Sequence, residues 1–235
     1  MSRKNGKDYL FLIWKQPESR RQYVVGILSK NGGFEFAYAE DIDEARKNGF
    51  SGIEAFKDFN KKYKSTKLFP VFSSRLPDKK RRGIEKILQK YNMNEYDEYL
   101  LLKNSGARLP IDTFEFIDPI FDEEEIVLRY FYIAGISHYL PCENNICDFS
   151  NVNIHNGDKL ILKLEPENSK DEYAVEIYNV EGVKLGYIPR YYSRQVTERI
   201  NKNNIVACEV LEFNPDANCR ECIRIKLCIN KNNKT

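Results

Sequence analysis

Leu164-Glu-Pro-Glu-Asn168, then Asp171-Glu-Tyr-Ala-Val175, then Lys184-Leu-Gly-Tyr-Ile-Pro-Arg190 is the stretch whose reading decides the fold. Leu160, Leu162 and Leu164 fall on every second position and run into a Pro-Glu-Asn turn, the pattern of a half-buried strand that stops. Ala174 to Tyr178 and Lys184 to Ile188 are two further short strands, separated by the Glu181-Gly182 turn. Gly186 reads as a bulge and Pro189 as an edge, because proline cannot donate to a ladder. Beyond it, Tyr192, Val196 and Ile200 recur at i, i+4, i+8 and predict one amphipathic helix.

Outward from this block, Val127 to Ala134 is a strand on the N-terminal side, and Asn156-Gly157 is a turn. Ile205 to Phe213 and Ile223 to Ile229 close the sheet, the latter with Ile223, Ile225, Leu227 and Ile229 on one face. The acidic run Asp122 to Glu125, just after Asp118-Pro119, is the best boundary. The predicted domains are 1–121 and 126–235, and 235 residues suit two units of about 100 each.

In the first half, Tyr9 to Trp14, Tyr23 to Leu28 and the alternating Phe34, Phe36 and Tyr38 predict a three-stranded antiparallel meander, with a turn at Asn31-Gly32-Gly33. Asp41 to Asn48 reads as a short helix. Leu68-Phe-Pro-Val-Phe72 reads as an apolar loop held by proline. Asp78 is placed as the cap of a helix carrying Ile84, Ile87, Leu88 and Tyr91, so that Lys79-Lys-Arg-Arg82 forms its exposed first turn. A further helix from about Asn94 ends at Asn104-Ser105-Gly106. The fold class is α+β.

Gly135-Ile-Ser-His-Tyr139, the Glu-Pro-x-Asn-x-x-Asp-x-x-Ala-Val segment and Leu-Gly-Tyr-Ile-Pro, in this order and spacing, resemble the HIRAN domain over residues 130–229. The resemblance implies a small OB-like β-barrel with one helix, a fold whose groove offers stacking rings and phosphate donors. Members occur beside helicases and nucleases, and some hold the 3′ end of single-stranded DNA. Carried over position by position, it implies DNA contacts from Ser137, His138, Tyr139, Lys170, Asp171, Tyr187, Arg190 and Arg194. End-capturing members carry arginine where this chain has Ser137, and tyrosine where it has His138 and Lys170, so end capture is not expected. Beside these roles stand plainer ones: Asp171 as a turn cap, Tyr139 and Tyr187 as core rings, His138 as a solvated loop residue.

The order of meander, short acidic helix, Leu68-Phe69-Pro70 and Arg75-Leu76-Pro77 resembles the small N-terminal subdomain of HipA-type kinases over about residues 9–110. The kinase core, with its catalytic aspartate motifs, is absent from this chain. The resemblance implies docking on a HipA-like kinase as an antitoxin-type component, in a toxin–antitoxin or defence setting. Phe69, Phe72 and Arg75 are the expected partner-binding residues, since rings left on a loop of little periodicity tend to become interface anchors. The other reading of that loop is that it folds back and buries its rings.

Lysine and arginine number 37 against 35 acidic residues, so the net charge of +2 does not mark a whole-molecule nucleic-acid binder, and a DNA site must come from local clustering. No signal peptide or membrane span is legible, and a soluble cytoplasmic protein with reduced thiols is expected. There is no phosphate-binding glycine loop, and His138 and His155 are the only histidines. Glu165 and Glu167 flank a proline without a pattern for metal-dependent cleavage. A non-catalytic binding protein without cofactor is expected. Cys142-x4-Cys147 and Cys219-x2-Cys222 make a four-thiolate zinc site only if their loops meet; the first spacing is loose, Cys208 and Cys228 read as ordinary strand residues, and no metal is the preferred reading. The competing functions are a DNA-repair or recombination accessory protein without a kinase partner, and a pure protein-interaction module.

Overall fold

The computed structural model describes residues 8–232. The chain divides between Pro119 and Ile120 into two compact units, just ahead of the acidic run Asp122 to Glu125.

In the first unit, β1 (Asp8–Lys15), β2 (Gln22–Lys30) and β3 (Phe34–Tyr38) form the expected antiparallel meander. It continues through α1 (Ile42–Lys47), β4 (Tyr63–Ser65), α2 (Pro70–Ser73), α3 (Ile84–Lys90), α4 (Glu98–Ser105) and β5 (Phe114–Ile117). The sheet order is β4-β3-β2-β1-β5. The edge strands β4 and β5 have only three and four residues, too few for alternation to show in sequence. Asp97 caps α4 by accepting from the Leu100 N–H at 2.9 Å, and Gly106 ends the helix at φ +71°. Asp78 does not cap a helix. Its carboxylate accepts from the Lys80 N–H, closing a turn, and Gly83 at φ +81° holds a left-handed conformation that no helix interior takes. Lys79 to Arg82 therefore lie in a turn ahead of α3.

Aromatic rings fill this unit's core. Phe36 stacks on Phe56 at 4.3 Å, Phe72 lies 5.3 Å from Phe36 and 4.9 Å from Phe116, and Phe69 meets Phe56 edge-on at 5.1 Å. The Tyr38 hydroxyl accepts from the Ile53 N–H and donates to the Phe56 carbonyl, pinning the loop after α1 onto the sheet. The expectation of Phe69 and Phe72 as exposed anchors is corrected here: they are 9% and 2% exposed. Pro70 starts the single turn of α2, which rolls the loop back so that both rings face the sheet. Arg75 is likewise internal. Its guanidinium grips Asp112 through both carboxylate oxygens and donates to the carbonyls of Ala107 and Phe114, leaving the side chain 8% exposed.

The second unit begins with β6 (Ile126–Tyr132) and a 3-10 turn (Ile136–His138), followed by a small hairpin of β7 (Cys142–Glu143) and β8 (Ile146–Cys147). Then come β9 (Lys159–Leu164), β10 (Val175–Tyr178), β11 (Lys184–Tyr187), α5 (Arg190–Asn201), β12 (Ile205–Phe213) and β13 (Ile223–Asn230). The main sheet runs β11-β10-β9-β12-β13-β6. It curls until its two edges meet, where Ala134 and Tyr187 exchange both backbone hydrogen bonds at 2.9 Å. This is the half-closed, OB-like barrel expected. Leu185, Ile177, Val196, Ile225 and Leu227 fill it. Two buried arginines anchor its ends: Arg129 pairs with both oxygens of Glu124, and Arg199 of α5 donates to the carbonyls of Phe121 and Asp122. No helix among the described residues is long and apolar enough to cross a membrane.

Candidate nucleic-acid interface

The barrel seam sets the site. β11 carries one extra residue relative to β10: Glu176 faces Tyr187, Ile177 faces Gly186, and Tyr178 faces Lys184, with Leu185 bulged between. On a regular strand Lys184 and Tyr187, three apart, point to opposite faces; the bulge brings them to the same one. Gly186 is the residue that permits the seam. A Cβ there would collide with the Ala134 carbonyl oxygen, so the residue expected to mark a bulge also allows the two edges to touch. Gly135, at φ +76°, then reverses the chain into the Ile136–His138 turn.

These features assemble a polar cluster at the lip of the barrel. The Tyr139 hydroxyl donates to the Tyr187 hydroxyl at 3.0 Å, and the Tyr187 hydroxyl donates to Glu165 at 2.8 Å. Lys184 donates to Glu176 and to the Tyr187 oxygen, and its ammonium lies 4.3 Å from the centroids of both the Tyr139 and Tyr187 rings. Asn168 donates to Glu165 at 2.7 Å while its own oxygen accepts from the N–H groups of Lys170 and Asp171.

The electrostatics follow from these bonds. Partial burial alone would lower the Lys184 pKa. Hydrogen bonds to Glu176, Tyr187 and Tyr139 more than offset that, and the ammonium is held charged beyond its ordinary range. Glu165 is held below the ordinary carboxylate range, first by the bond from Asn168 and then by that from Tyr187. Burial pushes the Tyr187 phenol up, so it stays protonated and keeps its proton to donate. The cluster is a fixed scaffold of one ammonium and two carboxylates, not an acid–base pair poised near neutrality.

The expected contact residues fall around this scaffold. Ser137, His138 and Tyr139 are exposed on the turn, with Tyr139 38% accessible. Tyr187 is half-buried beneath Tyr139, its ring 5.8 Å away. Lys170 and Arg190 are exposed. Arg194, also exposed, pairs with Glu198 at 3.0 Å and lies over the Tyr173 ring. Asp171 has the capping role weighed for it: one oxygen accepts from the Tyr173 N–H, and the other accepts from the Ser193 hydroxyl at 2.7 Å, tying its loop to the first turn of α5. Sequence reasoning missed Glu165, Asn168, Glu176 and Lys184 as a network. The Glu-Pro-x-Asn turn and the Gly186 bulge were its signals. Phe69, Phe72 and Arg75 form no surface site. The two cysteine loops do meet: the Cys219 N–H donates to the Asn145 carbonyl between β7 and β8.

A curled barrel with tyrosine rings, an ammonium and exposed basic residues at its rim places this unit in the class of small OB-like modules. Residues 126–229 match the family described as the HIRAN domain, and residues 20–110 match the HipA N-terminal domain; the chain carries both. Among solved structures, the HIRAN domain of human HLTF is 14% identical, with a TM-score of 0.33 over 46% of this chain and 77% of that one. A protein from Lactobacillus plantarum is 16% identical, with a TM-score of 0.35 over 44% of this chain and 94% of its own. No curated protein matches the chain.

Proposed function

We propose that the chain is a non-catalytic binding protein whose HIRAN domain takes single-stranded or distorted DNA at the seam of its barrel. The observation that carries this reading is the Tyr139 ring, exposed yet fixed in orientation by its bond to Tyr187 and by the Lys184 ammonium beneath it. A base that stacks on a preset ring costs little side-chain entropy. Because Lys184 is neutralised by Glu176, phosphates fall to the exposed Lys170, Arg190 and Arg194. The pair of Arg194 with Glu198 is solvent-exposed and screened, so a phosphate displaces it readily. The test is fluorescence anisotropy of a labelled oligothymidylate with the full chain at low salt. Tyr139→Ala should weaken binding by about 5- to 150-fold, the equivalent of about 1–3 kcal/mol for one stacked base. Tyr130→Ala, on an exposed face of β6, should leave it unchanged. Absence of binding by the unaltered chain at low salt overturns the reading.

The HipA N-terminal domain supports a second role, docking on a HipA-like kinase toxin as an antitoxin-type component. Phe69, Phe72 and the Arg75 side chain point inward and offer no surface for it. A groove lined by Phe34, Leu76, Lys79, Lys80, Tyr96 and Glu98 is an open face of this unit. Co-purification with a kinase core lacking its own N-terminal subdomain tests it: Lys79→Glu with Lys80→Glu should abolish capture, and capture that survives the pair removes the groove from the proposal.

A further inference from the structure

Four of the six cysteines take no part in the function argued above, yet the fold gathers them. Cys142 and Cys147 face each other across the β7–β8 hairpin, whose turn residues Asn144 and Asn145 both stand at positive φ. Cys219 and Cys222 lie on the turn leading into β13. Residues more than seventy positions apart are thus brought side by side, and the Sγ atoms of Cys142, Cys147 and Cys219 all lie within 4.8 Å of one another. Cys222 is fully buried against Cys147 and Cys219, its thiol donating to the Cys219 carbonyl at 3.5 Å. Tetrahedral zinc with Zn–S bonds of about 2.3 Å sets sulfur–sulfur edges of about 3.8 Å; three of the sulfurs lie close to that spacing, and Cys222, outside the 4.8 Å group, completes the set by turning its thiol from the Cys219 carbonyl. Cys208 and Cys228 differ: they sit on β12 and β13 as sheet residues, outside the cluster.

The hairpin itself calls for such a link. Each strand has two residues, and Cys142, Glu143, Asn144, Asn145 and Ile146 are all exposed. An isolated two-stranded ribbon of this size is not stable in water. The Cys219–Asn145 backbone bond and the sulfur group both join it to the second loop.

We propose that Cys142, Cys147, Cys219 and Cys222 bind one zinc ion as a closed, structural four-thiolate site. Four soft sulfur ligands select zinc or iron–sulfur chemistry over hard cations, and a full tetrahedral set leaves no position for a reacting water. Binding converts four thiols to thiolates and releases their protons to solvent, with no change of oxidation state. Ser137 neighbours Cys219, so the site adjoins the Gly135–Tyr139 turn. The assignment does not depend on DNA binding.

The test is elemental analysis of the full chain, purified under reducing conditions with any affinity tag removed. About one zinc per chain is expected for a closed four-ligand site. Cys142→Ser and Cys219→Ser should each lose it, and Cys228→Ser should keep it. Cobalt exchanged into the unaltered chain should give the visible bands of a tetrahedral thiolate site, a readout that stands even if a cysteine variant fails to fold. The proposal is overturned by unaltered chain that carries no zinc and takes up neither zinc nor cobalt after reduction. It is equally overturned by iron as the bound metal, or by conversion of the four free thiols to two disulfides in protein purified without reductant.

Discussion

Phe72 in the first unit and Tyr139 in the second are both aromatic residues on short irregular segments, and they end in opposite places. Phe72 is carried inward by the turn of α2 and meets Phe36 and Phe116. Tyr139 stays at the rim because its hydroxyl has a partner in Tyr187 and its ring a cation in Lys184. The cations divide in the same way: Arg75 is consumed inside by Asp112, while Arg190 stands in solvent. An aromatic or a cation on a loop is thus not yet a surface feature. What decides is whether the rest of the fold offers a matching cavity or a network that fixes the side chain at the edge.

The sharpest way to break this contrast is Phe72→Ala. Truncating a ring packed among four others should cost about 3–5 kcal/mol, which for a unit of this size lowers the thermal midpoint by more than about 10 °C. Tyr139→Ala, by contrast, should cost about 0.5–1.5 kcal/mol, the loss of one rim hydrogen bond with no cavity formed. Calorimetry on the two variants decides, and a midpoint unmoved by Phe72→Ala would return that ring to the surface.

Arg75 gives the next largest effect. Removing it leaves Asp112 partly buried without its cation, a cost of about 1–3 kcal/mol once the solvent access of the carboxylate is allowed for. The pair also predicts a pH dependence. Desolvation pushes the Asp112 pKa up, but the bonds from Arg75 and the Phe114 N–H outweigh it, and the folded-state value lies below the ordinary one. A depressed carboxylate stabilises the fold above its unfolded pKa and loses that contribution as pH falls through the folded value. Stability should therefore decline on acidification below about pH 4, the unfolded aspartate range. Asp112→Asn should flatten that part of the profile, and denaturant midpoints measured across it provide the check.

The same contrast explains what was legible in sequence. Strands with period-two burial, such as β13, and the α5 helix could be read because each carries its pattern locally. Gly186 announced its bulge, and the Glu-Pro-x-Asn turn announced a fixed loop. The fate of Phe69 and Phe72 was not local: their partners include Phe36, Phe56 and Phe116, brought near only by the sheet. The Glu165–Tyr187–Lys184 network was hidden because Leu185 bulges and changes which side chains share a face. The basic run Lys79 to Arg82 was misplaced onto a helix because the left-handed Gly83 breaks a periodicity that otherwise looks continuous.

At the barrel rim, Arg190→Ala with Arg194→Ala should act weakly on the fold and moderately on binding. Removing one cation that meets a phosphate should reduce the slope of log affinity against log salt by about 0.7 for a single strand. The double substitution therefore predicts a slope shallower by about 1.4, with affinity lowered at low salt and the curves converging at high salt. An unchanged slope would mean that neither arginine meets a phosphate.

The smallest effect expected is at the DNA end. Asp171 is the one carboxylate of the expected contacts that matches members holding a 3′-hydroxyl, and a carboxylate gripping that hydroxyl would repel a 3′-phosphate strongly. In this chain both its oxygens are already engaged, one by the Tyr173 N–H and one by the Ser193 hydroxyl, and the loop is locked to α5 by the latter bond. Ser137 and Lys170 stand where end-capturing members carry an arginine and a stacking tyrosine. A terminal nucleotide would meet a lysine in place of a ring, and Lys170 would itself attract a phosphate rather than exclude it. Oligonucleotides with free and phosphorylated 3′ ends should therefore bind within about twofold of each other, less than about 0.4 kcal/mol. If 3′-phosphorylation instead abolishes binding and Asp171→Asn restores it, the carboxylate holds the hydroxyl with its remaining lone pairs, and Ser193 serves to aim it at the strand end.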